Sequence, residues 1–373
     1  MGVPVLIDLQ KIGSYLDTRG GKVTLGLDGF VDEVWQVLAK RNSQTDYVLY
    51  ERMRDFAKAV YDVGTGGMAN EIIRKRRSFG GCVGNTSSAI GRLGGNPTMV
   101  GMFGKAAVDP VFVPFQEKYK LISLADPAIC VIFEFTDGKL MLPYSGETAD
   151  YRWEDLTNAM SNEELALAFD ADIVSFGYWS QLNYFDELIS GLCENFLFNS
   201  RCRRLFFDFA DIRKRDKQAL LATLERLAEL NKNIPMTLSL NEHEAGLLYS
   251  YVGKSFDWTK PESAEDDIDY VRTKAGLDEI IIHTPYFAVG TSASEGRAMV
   301  VHEHCKDPVI TTGAGDNFNG GYLLASMDAG KLNFAERLAV GNATTGFYIR
   351  NGFSPDKEDV KGELARVYNK RMN

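Results

Sequence analysis

Cysteine is scarce in this chain of 373 residues, and the five present, Cys82, Cys130, Cys193, Cys202 and Cys305, are scattered. An odd number without a Cys-x-x-Cys pair offers neither a disulfide framework nor the spacing of a structural zinc site. Reduced thiols are expected instead, since free cysteine packs as a small hydrophobe. Long apolar runs are missing too: 171–177 and 205–209 are among the longest, far short of the roughly 20 residues a membrane-spanning helix needs. The start, Met1-Gly2-Val3-Pro4, lacks the basic and apolar regions of a secretory signal, so a cytoplasmic location is the expectation. Positive charge is in deficit as well. A net charge of −10 argues against a protein that reads nucleic acid through its phosphates and favours a small polar metabolite as partner.

What is present suffices for a full core: 45% of residues are hydrophobic and 25% charged. From about residue 171 a short apolar run, a loop and an amphipathic stretch alternate, which is the rhythm of βαβ units. The pattern predicts strands near 171–177, 203–208, 235–240 and 279–283, with helices near 182–198, 217–231 and 266–274. An earlier pair of strands, 23–27 and 98–103, flanks a helix near 84–93. Together they imply an α/β fold with a doubly wound, mostly parallel sheet and helices on both faces.

Two regions break the rhythm. Alternating residues from 128 to 143 are interrupted by Asp137-Gly138, a strong two-residue hairpin signal. A hairpin inside a parallel α/β chain reads as a lid or edge ribbon. We assign lid elements to about 33–50 and 127–145 within a single domain spanning 1–373, and leave 51–78 as an insertion of open role.

The segment Thr311-Thr312-Gly313-Ala314-Gly315-Asp316, followed by an apolar-periodic run, places small residues before a helix. Unpaired N–H groups and the partial positive charge of a helix start make an anion site. Asp316 then has two possible jobs. It either caps the helix, or stands beside a phosphate-binding nest and takes the proton of an attacking hydroxyl, its ionised form favoured by the helix dipole.

This segment resembles the C-terminal signature of the ribokinase-like (PfkB) carbohydrate kinase family. Gly80-Gly81-Cys82-Val83-Gly84-Asn85-Thr86 is similar to its N-terminal signature, and Asn241-Glu242-His243-Glu244 to its Asn-x-x-Glu. The three matches come in the family's order, and the resemblance spans about 23–353. It implies a ribokinase-like fold with a small β lid, and an ATP-dependent kinase acting on a hydroxyl of a sugar-like molecule. By the same resemblance Gly313, Ala314 and Gly315 form an anion hole and Asp316 is the base. Asn241 and Glu244 hold Mg²⁺ and phosphate through water, a role compatible with the alternative, a helix cap at Asn241 with Glu244 as its capping-box partner. Sugar hydroxyls are expected at Gly80, Gly81, Asn85 and an aspartate after the first strand, Asp32 by preference and Asp28 in reserve. The nucleotide is expected at Thr284, Thr312, Gly313, Gly315, Asn241 and Asn342, and a homodimer through the lid.

There are departures. Ile310 stands where the family has an aspartate, which speaks against activation by a monovalent cation such as potassium. Thr284-Pro285-Tyr286 replaces Thr-x-Gly, and Asp208-Phe209-Ala210-Asp211-Ile212-Arg213 matches Asp-x-Asn-x-Arg only loosely, with Arg213 as the phosphate contact. Gly341-Asn342-Ala343-Thr344 either admits a flat base or permits close helix packing. His302-Glu303-His304 reads as an exposed strand edge rather than a metal pair, and Arg74-Lys75-Arg76-Arg77 as a solvated face. A nucleoside kinase, an ADP-dependent sugar kinase and a non-catalytic relative stay open. A nicotinamide-dependent oxidoreductase is excluded, because no Gly-x-Gly-x-x-Gly follows the first strand.

Overall fold

Runs of consecutive apolar residues fold as strands buried on both faces, as a parallel sheet between helical layers requires. In the computed structural model, which describes residues 7–18, 20–328 and 330–368, nine strands form the main sheet among the described residues. They are β1 (Val23–Gly26), β5 (Thr98–Gly101), β6 (Lys120–Ser123), β9 (Ile173–Gly177), β10 (Arg204–Asp208), β11 (Met236–Asn241), β12 (Glu279–His283), β13 (Phe287–Ser292) and β14 (Gly296–Val301). Their order is β14-β13-β12-β11-β10-β9-β1-β5-β6, with β13 antiparallel to both of its neighbours and every other pair parallel. In this register Asp208 pairs with Ser239 and Asn241 with His283, so Asp208, Asn241 and His283 stand along the carboxyl edge of the sheet. That edge is where open α/β sheets bind ligands.

The remaining strands make a second sheet of five: β2 (Phe30–Arg41), β3 (Tyr47–Leu49), β4 (Ile72–Gly80), β7 (Ala128–Phe135) and β8 (Gly138–Tyr144). The Asp137-Gly138 hairpin joins β7 to β8. Segment 51–78 supplies α1 (Met53–Asp62) and most of β4, which pairs along β2. Asp137 ties the pieces together by accepting the Met53 N–H at 2.5 Å, and Phe56 stacks on Phe135 at 5.8 Å. Phe30, Val34, Ala128, Cys130 and Ile132 form the small buried core of this sheet.

Helices cover the main sheet. Those that matter below are α2 (Gly81–Arg92), α3 (Phe185–Asn195), α4 (Lys217–Leu230), α5 (Glu242–Tyr251), α6 (Pro261–Ala275), α7 (Ala314–Ser326) and α8 (Phe334–Asn351). The helix expected at 266–274 starts earlier, at Pro261, whose missing N–H costs nothing in a first turn. No helix among the described residues is long and apolar enough to cross a membrane.

Small residues set how closely α2, α7 and α8 approach. A methyl added at Gly320 would lie 2.6 Å from Ala89 Cβ, one at Gly321 2.3 Å from Thr344 Oγ1, and one at Gly341 2.8 Å from Phe318. The small residues of α8 therefore serve close packing. Gly321→Val should force α7 and α8 apart at a cost of about 1–3 kcal/mol or more, as overpacking does. Urea denaturation of the purified variant measures it, and a loss below about 0.5 kcal/mol would mean that the helices can open without penalty.

Candidate active site

The first turn of α7 leaves its N–H groups without intrahelical acceptors, and they face a cavity of about 730 Å³ between the carboxyl edge of the main sheet and the second sheet. Gly313 caps the helix with φ 83°, a left-handed conformation that suits glycine, and a methyl there would meet Tyr348 Oη at 2.9 Å. α8 pins the loop: Tyr348 Oη donates to Thr312 O at 2.7 Å and Thr345 Oγ1 to Ala314 O at 2.8 Å. Among the described residues, the non-glycine positions in left-handed backbone are Tyr178, Ala210 and Asp211, and all three line the cavity. Such strain collects at sites where the surrounding fold over-determines the backbone.

Three carboxylates converge beside the donors. Asp316 Oδ2 accepts from Asn85 Nδ2 at 2.9 Å. Asp208, at the end of β10, accepts from Ala210 N at 2.9 Å and Asn319 Nδ2 at 2.6 Å. Glu244 accepts from Asn241 N at 3.0 Å and Asp211 N at 2.7 Å. Oxygens of Asp208 and Asp316 lie with Cys82 Sγ within 4.8 Å of one another.

This crowding overturns one expectation. Burial, then the charge of Asp208, push the Asp316 carboxyl well above the usual carboxylate range, so the helix start does not by itself keep it ionised. Desolvation and a neighbouring like charge outweigh the roughly half charge of a helix terminus. Burial followed by Asp208 likewise raises Glu244 to about 8. Burial lifts Asp28 to about 7 and Asp32 to about 6, and lowers His283 to about 4, leaving a neutral imidazole.

Most of the residues singled out from the sequence meet here. Asp32, Gly81, Asn85, Asn241, Glu244, Thr284, Thr312, Gly313, Ala314, Gly315 and Asp316 all line the cavity. Asn241 does cap α5, its Oδ1 accepting from His243 N and Glu244 N, and Glu244 closes the capping box. Three candidates are not among the lining residues. Asp28 is fully buried behind them, its Oδ1 taken by Val83 N at 3.0 Å in the first turn of α2. Gly80 makes room instead of contact, since a methyl on it would meet the Asp32 carboxylate at 2.6 Å. Asn342 sits one turn deeper on α8, where β14 covers the helix and Val300 O lies 3.3 Å from its Nδ2; Thr345 and Ile349 line the cavity from that helix.

Elsewhere Arg213 is drawn aside by Asp211 at 2.6 Å, and Lys214 lines the cavity in its place. His302 is buried rather than on an exposed edge, because β14 ends at Val301 and the ring's Nε2 sits 3.0 Å from Thr284 O. Tyr286, which stands for the family's glycine, stacks between Trp258 and His304 with ring centroids 5.7 and 4.7 Å away, and His304 lines the cavity. Sequence reasoning gave no role to Asp208, Tyr178, His283 or Lys139. Only Asp208 carried a signal, the loose Asp-x-Asn-x-Arg match.

Geometry of this kind has counterparts. The profile of the prokaryotic ketohexokinase family matches residues 14–367. The ketohexokinase of Haloferax volcanii is 31% identical over 352 residues, covering 92% of this chain and 90% of the relative. The chain belongs to the prokaryotic ketohexokinase family. It is an ATP-dependent sugar kinase, a phosphotransferase acting on a sugar hydroxyl. Among solved structures, the ribokinase of Thermotoga maritima superposes with a TM-score of 0.61 at 15% identity, covering 92% of this chain and 99% of that one. The nucleoside kinase of Methanocaldococcus jannaschii gives 0.60 at 16%, covering 93% and 100%. At such identities the likeness establishes the fold, here the ribokinase-like one.

The raised carboxyls of this ketohexokinase-family protein have a consequence for stability. Groups whose folded pKa exceeds the unfolded value bind protons more tightly in the folded state. Their contribution is complete below pH about 4 and is lost as pH rises through about 6 for Asp32, 7 for Asp28 and 8 for Glu244. In EDTA, urea denaturation should show lower stability at pH 8.5 than at pH 5. Asp208→Asn should shrink that difference, and an unchanged difference would mean that Asp208 does not drive the shifts.

Proposed function

We propose that this kinase moves the γ-phosphoryl group of MgATP to a hydroxyl of a ketohexose such as D-fructose, with Asp316 as the general base. The observation that carries the reading is the Asp316 carboxylate, fixed by Asn85 behind the Gly313–Gly315 donors on the floor of the cavity. The acceptor's hydroxyl oxygen forms the new bond to γ-phosphorus as the bond to the β,γ-bridging oxygen breaks, and its proton passes to Asp316. Backbone N–H groups at the start of α7 take up the charge on the transferring group. Asp32, Asn85 and the open backbone at Gly81 suit the sugar's hydroxyls. Thr284, Thr312 and the wall of His304, Thr345 and Ile349 suit the nucleotide.

The donor set fits Mg²⁺. Asp208 and Asp316 are hard oxygen ligands that repel each other, Glu244 also feels the charge of Asp208, and Asn241, whose Oδ1 is taken by the helix cap, would act through water; the neutral thiol of Cys82 is a poor ligand for that ion. When bound, Mg²⁺ supplies the positive charge that this cluster lacks. A role for Glu244 through Mg²⁺ is compatible with its place in the capping box.

The second sheet serves as the lid and, in this reading, as the dimer contact. It exposes Val48, Leu142 and Tyr144, the last at 70%, on strands that would otherwise present apolar surface to water. Its use of ATP and its reduced thiols suit the cytoplasm. Sedimentation at micromolar concentration should show a dimer, and an active monomer would remove the contact.

Asp316→Asn tests the base. Asparagine is nearly isosteric and can still accept from Asn85, so the thermal midpoint should hold, while kcat with MgATP and D-fructose should fall about 10²–10⁴-fold. Gly313 and not Asp316 caps α7, so a variant turning over near the parent rate would mean that Asp316 only holds Asn85 in place. A parent that prefers nucleosides to ketohexoses, or ADP to ATP, would redirect the substrate assignment.

A further inference from the structure

Residues directly opposite in a sheet share a face, and each strand shows that face at every second position. Asp32, which lines the cavity, lies on β2 opposite Cys130 of β7, and Cys130 lies opposite Pro143 of β8. The next rung on the same face holds Val34, Arg76, Ile132 and Met141, and the one beyond it Glu134 and Lys139. Arg76 and Lys139 therefore belong to the cavity side of the second sheet. Arg76 comes from the basic run that composition alone reads as a solvated face.

Lys139 reaches across to the main body. Its Nζ donates to Thr312 Oγ1 at 2.7 Å, joining residues 173 positions apart in sequence. Glu134 is its cross-strand neighbour, yet no carboxylate among the described residues lies within ion-pair distance of Lys139, and the same holds for Arg76. Three arginines nearby are paired: Arg77 with Glu33 and Asp109, Arg74 with Glu33, Arg54 with Asp137. A lysine that passes over a facing glutamate to rest on a hydroxyl of the anion loop keeps its ammonium out of an ion pair where an anion is to bind. Asp32 feels both cations, which oppose the rise that burial imposes on its carboxyl.

We propose that Lys139 is a catalytic residue of this kinase, delivered by the β7–β8 hairpin to the transferring phosphoryl group, with Arg76 as a second, more distant cation on the same face. The inference rests on the assignment of the Gly313–Asp316 loop as the phosphoryl site. In the transition state the phosphoryl oxygens replace the Thr312 hydroxyl as the partner of the ammonium. The lysine gains and loses no proton: the bond made is acceptor oxygen to γ-phosphorus, the bond broken is γ-phosphorus to the bridging oxygen, and the proton goes to Asp316. Removing one such pre-placed donor costs about 10²–10³-fold in kcat.

The test compares Lys139→Met, Lys139→Arg and Asp316→Asn with MgATP and D-fructose. Lys139→Met should lower kcat by about 10²–10³-fold with a much smaller change in the KM for D-fructose. Lys139→Arg should recover much of the loss, and Arg76→Met should cost less than Lys139→Met. Binding of ADP with aluminium fluoride and D-fructose, a mimic of the phosphoryl in flight, should weaken in Lys139→Met while ADP alone binds as before. A Lys139→Met enzyme within about threefold of the parent kcat overturns the proposal. So does a loss confined to KM, which marks a latch rather than a phosphoryl contact. If Asp316→Asn stays active while Lys139→Met fails, the base assignment falls and the lysine stands. The reverse pair of results removes the lysine alone.

Discussion

Three carboxylates held on one wall of the cavity are the constraint on which the rest of this site depends. Asp208, Glu244 and Asp316 come from β10, α5 and α7, and each is fixed by donors that have few other uses. Burial raises all three carboxyls, and the charge of Asp208 adds to the rise at Glu244 and Asp316. A fold that keeps them side by side forgoes stability at neutral pH in return for a place where a cation, a polyphosphate and a proton acceptor can be brought together. Cations sit at the edge of the cavity, Lys214 among its lining residues and Lys139 on the second sheet with its ammonium on Thr312.

Keeping the cluster in register falls to the helices behind it. α7 carries Asp316 at its start and Asn319 a turn later, so one helix aims both the carboxylate and the amide that holds Asp208. Its glycines let α2 and α8 lie against it closely, which brings Asn85 of α2 to Asp316 and Tyr348 of α8 to the loop. Stability and geometry are thus coupled through the same few methyl-free positions. The strained backbone at Tyr178, Ala210 and Asp211, at the ends of neighbouring strands, is held by hydrogen bonds to the cluster, Tyr178 N donating to Asp208 O, Ala210 N to the Asp208 carboxylate and Asp211 N to that of Glu244.

How much of this was legible depends on the range of each interaction. The parallel strands could be read because burial on both faces leaves an unbroken apolar run, and the hairpin because Asp-Gly fits its turn. β4 was hidden, since the exposed Arg74, Lys75 and Arg76 make the middle of the strand look like a charge run. The Asp316 loop and the Asn241 cap were legible because their chemistry is local, set within four or five residues. The Lys139 bridge, the displacement of Asn342 beneath β14 and the burial of His302 were not, because each is fixed by a partner remote in sequence or by layers that close over it. The protonation preference of Asp316 was misjudged for the same reason: the helix start is visible in the sequence, but the carboxylate of Asp208 beside it is not.

The chain passes between the two sheets four times: before Phe30, between Gly80 and Gly81, before Ala128 and after Tyr144. Phe30 pairs with both Gly80 and Ala128, and Tyr144 with Ile129, so all four crossings fall along one end of the second sheet. Four tethers in a row behave as a door hinge: they resist sliding and twisting and leave rotation about their own line as the soft motion. Lys139 stands five residues up β8 from that line, roughly 17 Å at about 3.4 Å per residue, so a swing of about 10° carries its ammonium some ~3 Å. A small rotation about the tethers therefore suffices to make or break the contact with Thr312. The stiff leaf on that hinge includes α1, fastened to the hairpin tip by Asp137, so the helix adds leverage and inertia at the far edge of the door without touching its pins.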